Sequence, residues 1–558
     1  MLRTLIVCLV SVLTSGAFAQ PADVVVVNAS VWTGDPARPA ASSFAVRGGR
    51  FVAVDEGVDA LIGAHTRSID AGGARVLPGL IDAHVHLGGA AMDARAVDLR
   101  TATSREDLLA RLREWAGQKA PDAWVFGTRW SAESWDDPTP PTAEEIDRAV
   151  AGRPSVLVRM DGHSNLASSA ALELAGIDAR GPADPPGGRI GRRADGTPTG
   201  ELFEEAMGLV YAHAPRASDA EMQGLLEHVM THAASLGVTR VGSIDSRRII
   251  VRQLTPLAQS GLMPIHVAAS VRQTGDNDMT RWRAKLAWAS PRRTLAGRLS
   301  IIGFKGYMDG SLGSRTAWMN APFYDNPAHL HEENAGFPLA LAEDGSLKDL
   351  ILEGAALGLQ PIVHAIGDRA NGTLLDWFEA IPEEQRRDVR PAVEHAQHLL
   401  REDIPRFAGL GVIASMQPLH KADDGRYAQD RLGPSRVKTS YAFRDLIDSG
   451  ALVAFGSDWP VVDVNPFLGI WAAVASETTD GKAFLPEQAI SVEEALVCYT
   501  RNAAYKLFAE DEAGVIEVGK SADFIVLDRD VLSASAEEIK GTRVVLTVVS
   551  GVVVHEAR

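Results

Sequence analysis

The sequence predicts an α/β chain: a TIM-type (β/α)8 barrel, a small β-sandwich built from both termini, and an inserted subdomain after barrel strand 1. Three observations carry that prediction. Through the middle of the chain, short apolar runs alternate with helical segments, the pattern of a parallel sheet with crossover helices. The runs number eight. The β-rich pieces that do not alternate lie at the two ends, and neither set alone is a convincing domain. A chain of 558 residues also exceeds one compact core, so two or three domains are expected.

Residues 1–19 read as a secretory signal. Arg3 gives a short positive start, residues 5–13 are apolar, and Ala17-Phe18-Ala19 is a small-x-small cleavage site. Cleavage would leave Gln20 first and send the chain to the periplasm or outside the cell. The apolar run is too short for a comfortable span, so no stable membrane insertion is expected once it is removed. Cys8 lies inside the signal. Only Cys498 then remains, which excludes an intramolecular disulfide.

Residues 23–27, 44–46, 50–54 and 68–70 are short β-rich pieces divided by Gly, Pro and Asn. Residues 522–527 and 543–554, with Gly551 as a turn, match them at the far end. Paired, they form the sandwich, with 20–75 its N-terminal part and 510–558 its C-terminal part. The barrel starts over 76–97 and resumes over 216–509. Its strands read as the run through His84, then 238–243, 264–269, 299–305, 360–363, 392–394, 412–415 and 452–455. The interval 98–215 is far longer than one crossover requires, and it contains strands of its own at 123–127 and 155–159. It reads as an inserted α/β subdomain over the barrel mouth. Trp115, Trp124, Trp130 and Trp135 favour a packed core there over a linker.

The first barrel run, Val76-Leu77-Pro78-Gly79-Leu80-Ile81-Asp82-Ala83-His84-Val85-His86, has a buried, apolar front. Side chains two apart on a strand share a face, so His84 and His86 project together and can grip one divalent metal. Asp82 has the same parity and is placed to orient them. A bare His-x-His is weak evidence. Its weight comes from later strand ends: Lys305, on the parity of Ile301 and Gly303, then His364, His395 and, after the last strand, Asp458. Any one of these has an ordinary structural explanation, such as a core histidine or a helix cap. Six on strands one, four, five, six and eight are not independent accidents, and in such barrels the chemistry sits at the carboxyl ends of the strands.

With those residues in view, the chain resembles the amidohydrolase superfamily from about residue 22 to 554. Phe304-Lys305-Gly306-Tyr307-Met308-Asp309-Gly310-Ser311-Leu312-Gly313-Ser314-Arg315 and Val363-His364-Ala365-Ile366-Gly367-Asp368-Arg369-Ala370 are similar to its family-3 branch, which includes N-substituted formamide deformylase-like enzymes. Asp161-Gly162-His163-Ser164-Asn165 and Glu394-His395-Ala396-Gln397 share that likeness. The resemblance implies a hydrolase whose metal ligands are His84, His86, Lys305, His364, His395 and Asp458. It implies one or two divalent ions, with zinc the expected metal: His84, His86 and Asp458 on the first, His364 and His395 on the second. Lys305 is then a carboxylated bridge, with a direct amine ligand or a structural lysine beside a single metal left open. Asp458 would take a proton from the attacking water and return it to the leaving amine. Single-metal deamination in this family needs a Glu three residues after the strand-five His; here that residue is Gly367.

The expected substrate is a small molecule with an amide-type, non-peptide carbon–nitrogen bond. Esterase or deaminase action on the same site, or a catalytically silent binding or regulatory protein, are the alternatives. A balance of 55 basic against 72 acidic residues, net -17, argues against nucleic acid or an anionic membrane as partner. A homo-oligomer stays open. Arg315 is placed either to grip a substrate carboxylate or to tie down its own loop, and Asp309 to brace that loop. His163 is placed to polarise the carbonyl from the insertion. Glu204 belongs to a stretch of the same likeness without an assigned role.

Overall fold

The computed structural model describes residues 20–557 except 133–134, 138, 161–163, 186–187, 205, 273–277 and 326–332. The expected signal, residues 1–19, lies outside the described residues. Eight parallel strands form the central sheet in chain order: β1 (Leu80–Val85), β2 (Val238–Asp245), β3 (His266–Arg272), β4 (Leu299–Tyr307), β5 (Gln360–Ala365), β6 (Ala392–His395), β7 (Ile413–Met416) and β8 (Val453–Phe455). Each is hydrogen-bonded to the next in parallel register. Val85 bridges to Trp459, and His86 N donates to Trp459 O at 2.7 Å, which draws the last strand to the first at their C-terminal ends. Every strand expected from the apolar runs is present.

The barrel interior is filled at its lower end by small side chains. Ile81, Ala83, Ala268, Ile302, Ala392, Ile413 and Ala454 form one buried cluster with Ala503, Ala504 and Leu507. A cluster that draws on strands all round the sheet can only be its inside. The helix Arg501–Lys506 plugs this floor. The mouth, at the other end, is left for polar groups.

Between β1 and β2 the insertion builds its own six-stranded sheet. Its order is Gly188–Arg192, Pro198–Glu204, Ser164–Ala167, Ser155–Arg159, Val125–Trp130 and Val97–Asp98. Trp130 and Trp135 are buried in it, and their indole N–H groups donate to Leu157 O (3.0 Å) and Ala102 O (2.8 Å). This is a packed unit, not a linker.

The termini meet in the sandwich. One sheet orders Arg50–Val54, Phe44–Arg47, Val24–Val27 and Arg67–Asp70; the other orders Val552–Glu556, Val544–Val549, Phe524–Leu527, Arg75–Pro78, Ser30–Trp32 and Ala40–Ala41. Phe44 joins the ends edge-on, its ring 5.3 Å from Phe51 and 4.9 Å from Phe524. Among the described residues no helix is long and apolar enough to cross a membrane, and Cys498 is a buried free thiol.

Two readings of the sequence change. Arg75–Pro78, read as the front of the first barrel strand, pairs instead with Phe524–Leu527 in the sandwich. Gly79 is the hinge, since a Cβ there would meet Thr239 Oγ1 at 2.2 Å. Lys305 keeps the parity of Gly303 but not that of Ile301, because the β3–β4 register slips between Ile301 and Gly303. Ile302, not Ile301, joins the inner cluster. An extra residue in one strand reverses which side chains face inward.

Candidate metal centre

His84 lies in β1 and His86 just beyond it, Lys305 and His364 lie in β4 and β5, and His395 ends β6. Asp458 follows β8. Strand β6 puts two neighbours, Glu394 and His395, to work on the same site, although alternation would send them to opposite faces. The backbone resolves this: His395 has φ 77° and Asp458 φ 60°, both left-handed. Such a conformation costs a non-glycine residue on the order of 1–2 kcal/mol and is characteristic of functional sites.

Each of the four imidazoles gives one N–H to a protein oxygen. His84 Nδ1–H donates to Glu394 Oε2, and His86 Nδ1–H to Ile244 O at 3.0 Å. His395 Nδ1–H donates to Gln417 Oε1 at 2.8 Å, and His364 Nε2–H to Gly310 O at 3.0 Å. These partners fix the tautomers, so the lone pairs fall on Nε2 of His84, His86 and His395 and on Nδ1 of His364. An imidazole oriented by an outer oxygen is the usual form of a metal-ligating histidine.

The free atoms crowd together. His84 Nε2 and His86 Nε2 are 3.4 Å apart, and they lie 3.2 and 3.0 Å from Asp458 Oδ1. All three are acceptors, and Asp458 Oδ1 is buried without a hydrogen-bond donor among the described residues. Three electron-rich atoms at that spacing repel one another unless a cation sits between them. Tetrahedral zinc, with Zn–N of about 2.0–2.1 Å, requires ligand atoms roughly 3.3–3.4 Å apart, close to what is found. Ligand atoms of His84, His395 and Asp458 also lie within 4.8 Å of one another, and the His364 and His395 rings are 4.6 Å apart. The donor set fits a divalent ion.

Electrostatics follow from burial. Burial lowers the pKa of His84, and burial followed by His364 holds His395 well below its usual value, so both rings are neutral. For Asp458, burial opposes ionisation, but the surrounding groups outweigh it and hold the carboxyl well below the usual range. Burial brings Lys305 down to about 8, against the pull of Glu394 and Asp458. Its amine is fully enclosed and faces the Tyr307 ring at 5.3 Å.

The remaining candidates divide. Asp82 accepts from His84 N (3.1 Å), Ser457 N (3.0 Å) and Ser457 Oγ (2.6 Å), so it ties the end of β1 to the turn after β8 rather than orienting a ring. Burial raises it to about 7, against the Ser457 donors. Asp309 braces its loop, accepting from Ile366 N (3.0 Å), Gly367 N (2.8 Å) and Trp318 N (2.9 Å). Arg315 is occupied by a two-pronged pair with Asp325, at 3.1 and 2.8 Å. His163 lies outside the described residues, and Glu204 closes the insertion strand Pro198–Glu204.

Sequence reasoning gave no role to four residues that shape the site: Glu394, Gln417, His420 and Lys506. Glu394 is fully buried, and His84 and Lys506 overcome the effect of burial and hold its carboxyl well below the usual range. Lys506 reaches from the floor helix to Glu394, to Ala83 O (2.8 Å) and to Ser415 Oγ (2.6 Å). A lysine–glutamate–histidine chain therefore runs along the barrel axis. Only the position of Glu394 directly before a candidate ligand could have signalled it.

A profile of the amidohydrolase family matches residues 67–555. The chain is 32% identical to the protein LONG AFTER FAR-RED 3 of Arabidopsis thaliana, over 95% of this chain and 91% of that protein. It is 28% identical to the N-substituted formamide deformylase of Arthrobacter pascens, over 96% of this chain and 99% of that one. An uncharacterized metal-dependent hydrolase from Pyrococcus horikoshii superposes with TM-score 0.75 at 26% identity, covering 92% of this chain and 99% of its own.

Proposed function

The chain belongs to the amidohydrolase family, and from that premise we propose that it hydrolyses the carbon–nitrogen bond of small, amide-type, non-peptide substrates with the help of divalent metal. The observation that carries this reading is the convergence of His84 Nε2, His86 Nε2 and Asp458 Oδ1 at 3.0–3.4 Å with no proton to share among them. His84, His86 and Asp458 would hold one ion, zinc by its donor set, and His364 and His395 a second. A divalent ion at such a place acidifies water and polarises a carbonyl.

The chain's own groups do the rest. Asp458 keeps Oδ2 free of the His84–His86 cluster, so this oxygen takes the proton of the attacking water and hands it to the leaving amine. Glu394 and Gln417 hold the His84 and His395 rings in their ligating tautomers. Lys305, brought down to about 8, has a nucleophilic neutral fraction at neutral pH. Carbon dioxide adding to that amine, with loss of one proton, would give an anionic carbamate suited to bridging two cations.

Deamination is disfavoured by space as well as chemistry. A Cβ on Gly367 would meet Trp318 O at 2.0 Å, so no carboxylate can occupy the position that a proton-shuttling Glu would need. Export of the chain is part of the proposal and rests on the sequence of residues 1–19 alone. The function is tested by metal-replete protein offered formamides, hydantoin-like rings, N-acyl amino acids and simple esters. Turnover of an amide-type substrate that is lost on chelation supports it; ester turnover alone, or none, overturns it.

A further inference from the structure

Strand β7 contributes no candidate ligand, yet the segment after it turns two side chains toward the metal centre. Gln417 accepts from His395. Pro418 then opens the helix Pro418–Asp424, whose third residue is His420. The His420 ring lies parallel to that of His395, at 8° and 6.1 Å, and its Nε2 is 3.9 Å from Asp458 Oδ2. That nitrogen is buried and has no hydrogen-bond partner among the described residues. A buried imidazole nitrogen left unpaired costs on the order of 1–3 kcal/mol, so a group that pairs with it gains by entering the site.

His420 is also held firmly. The next residue, Lys421, donates to Ser476 Oγ. Asp424, one turn on, accepts from Tyr441 Oη–H at 2.7 Å and Gln397 Nε2–H at 2.6 Å. Its ring is therefore presented by a fixed helix end. A gap of 3.9 Å is too long for a hydrogen bond between His420 and Asp458 and too short for an intervening side chain. One atom about 2.8 Å from both fits between them.

Building on the proposed hydrolysis, the geometry points to His420 as a catalytic residue whose Nε2–H hydrogen-bonds the carbonyl oxygen of the substrate as it becomes tetrahedral. Water oxygen adds to the carbonyl carbon, and its proton passes to Asp458 Oδ2. The carbonyl π pair moves onto the oxygen, which accepts from His420. Collapse re-forms the carbonyl, breaks the C–N bond, and returns the proton from Asp458 to the departing amine. Because Oδ2 is protonated when the oxyanion forms, the two oxygens do not repel. A fixed donor aimed where charge develops adds most to the rate and least to ground-state binding.

The test uses metal-replete full-length protein with three substitutions. His420→Phe keeps a ring against His395 and removes the donor, His420→Ala removes the ring, and His420→Gln keeps an N–H. On the amide that wild type turns over best, Phe and Ala should lower kcat by about 10²–10³ with KM nearly unchanged, and Gln should recover part of the loss. Metal per chain should stay at the wild-type value in all three. Methylphosphonate, a stable tetrahedral oxyanion, should inhibit the Phe and Ala variants far more weakly than wild type. Wild-type kcat in His420→Ala, or loss of metal in step with activity, overturns the role of His420 and leaves the hydrolase reading standing. Wild type inert toward every amide while fully metal-loaded overturns both.

Discussion

The two ends of the barrel use the same eight strands for opposite purposes. At the floor, six strands contribute Ile81, Ala83, Ala268, Ile302, Ala392, Ile413 and Ala454 to a dry cluster capped by Ala503, Ala504 and Leu507. At the mouth, the strand ends present lone pairs that face one another at 3.0–3.4 Å. The floor is a packing problem solved by shape; the mouth is an electrostatic problem that a bound cation would solve. The difference teaches that stability and activity are separable here along the barrel axis, except where Lys506 joins them. Its ammonium starts in the floor helix and ends on the carboxylate that holds His84.

The largest effect should come from the mouth alone. His84→Ala combined with His86→Ala should abolish activity, while circular dichroism and the melting profile stay those of a folded barrel. An unfolded double mutant would break the separation. Asp458→Asn keeps the shape and one ligand oxygen but removes the proton acceptor, and turnover should fall at least about a hundredfold. Retained turnover would place the base elsewhere, with His163 the next residue to mutate.

Lys506→Met tests the link between the two ends. It strands a buried carboxylate, which should cost about 3–5 kcal/mol of stability by denaturant titration. It should also weaken metal binding roughly 10–100-fold through the released His84 ring. A variant that loses stability but binds metal as tightly as wild type would cut the link. Leu507→Ala is the floor counterpart. It should cost about 2–5 kcal/mol while leaving metal per chain and kcat unchanged. Any change in metal content would show the floor reaching the mouth by a route other than Lys506.

Much of this was legible in the sequence because it is written in local pattern. The eight apolar runs mark the eight strands, and His84, His86, Lys305, His364, His395 and Asp458 each mark a strand end. The Phe44 and Phe524 pieces found each other across 480 positions because neither β-rich end could bury itself alone. What stayed hidden depends on contacts that no local pattern records. Glu394 looks like an outward neighbour of His395 until the left-handed backbone at His395 brings both inward. Lys506 looks like a helix surface residue until that helix enters the barrel. His420 sits after a strand with no ligand, so nothing in the motif points to it. Arg315 was open between substrate and loop, and Asp325 decides for the loop.

The central claim, that the unpaired acceptors at the mouth are a metal centre, is tested most directly by anomalous scattering. Crystals of wild-type protein loaded with zinc should be measured on either side of the zinc absorption edge. The account requires an anomalous peak enclosed by His84 Nε2, His86 Nε2 and Asp458 Oδ1, absent from the His84→Ala, His86→Ala double mutant. Zinc-loaded crystals with no peak at that point, or with one that persists in the double mutant, would contradict it.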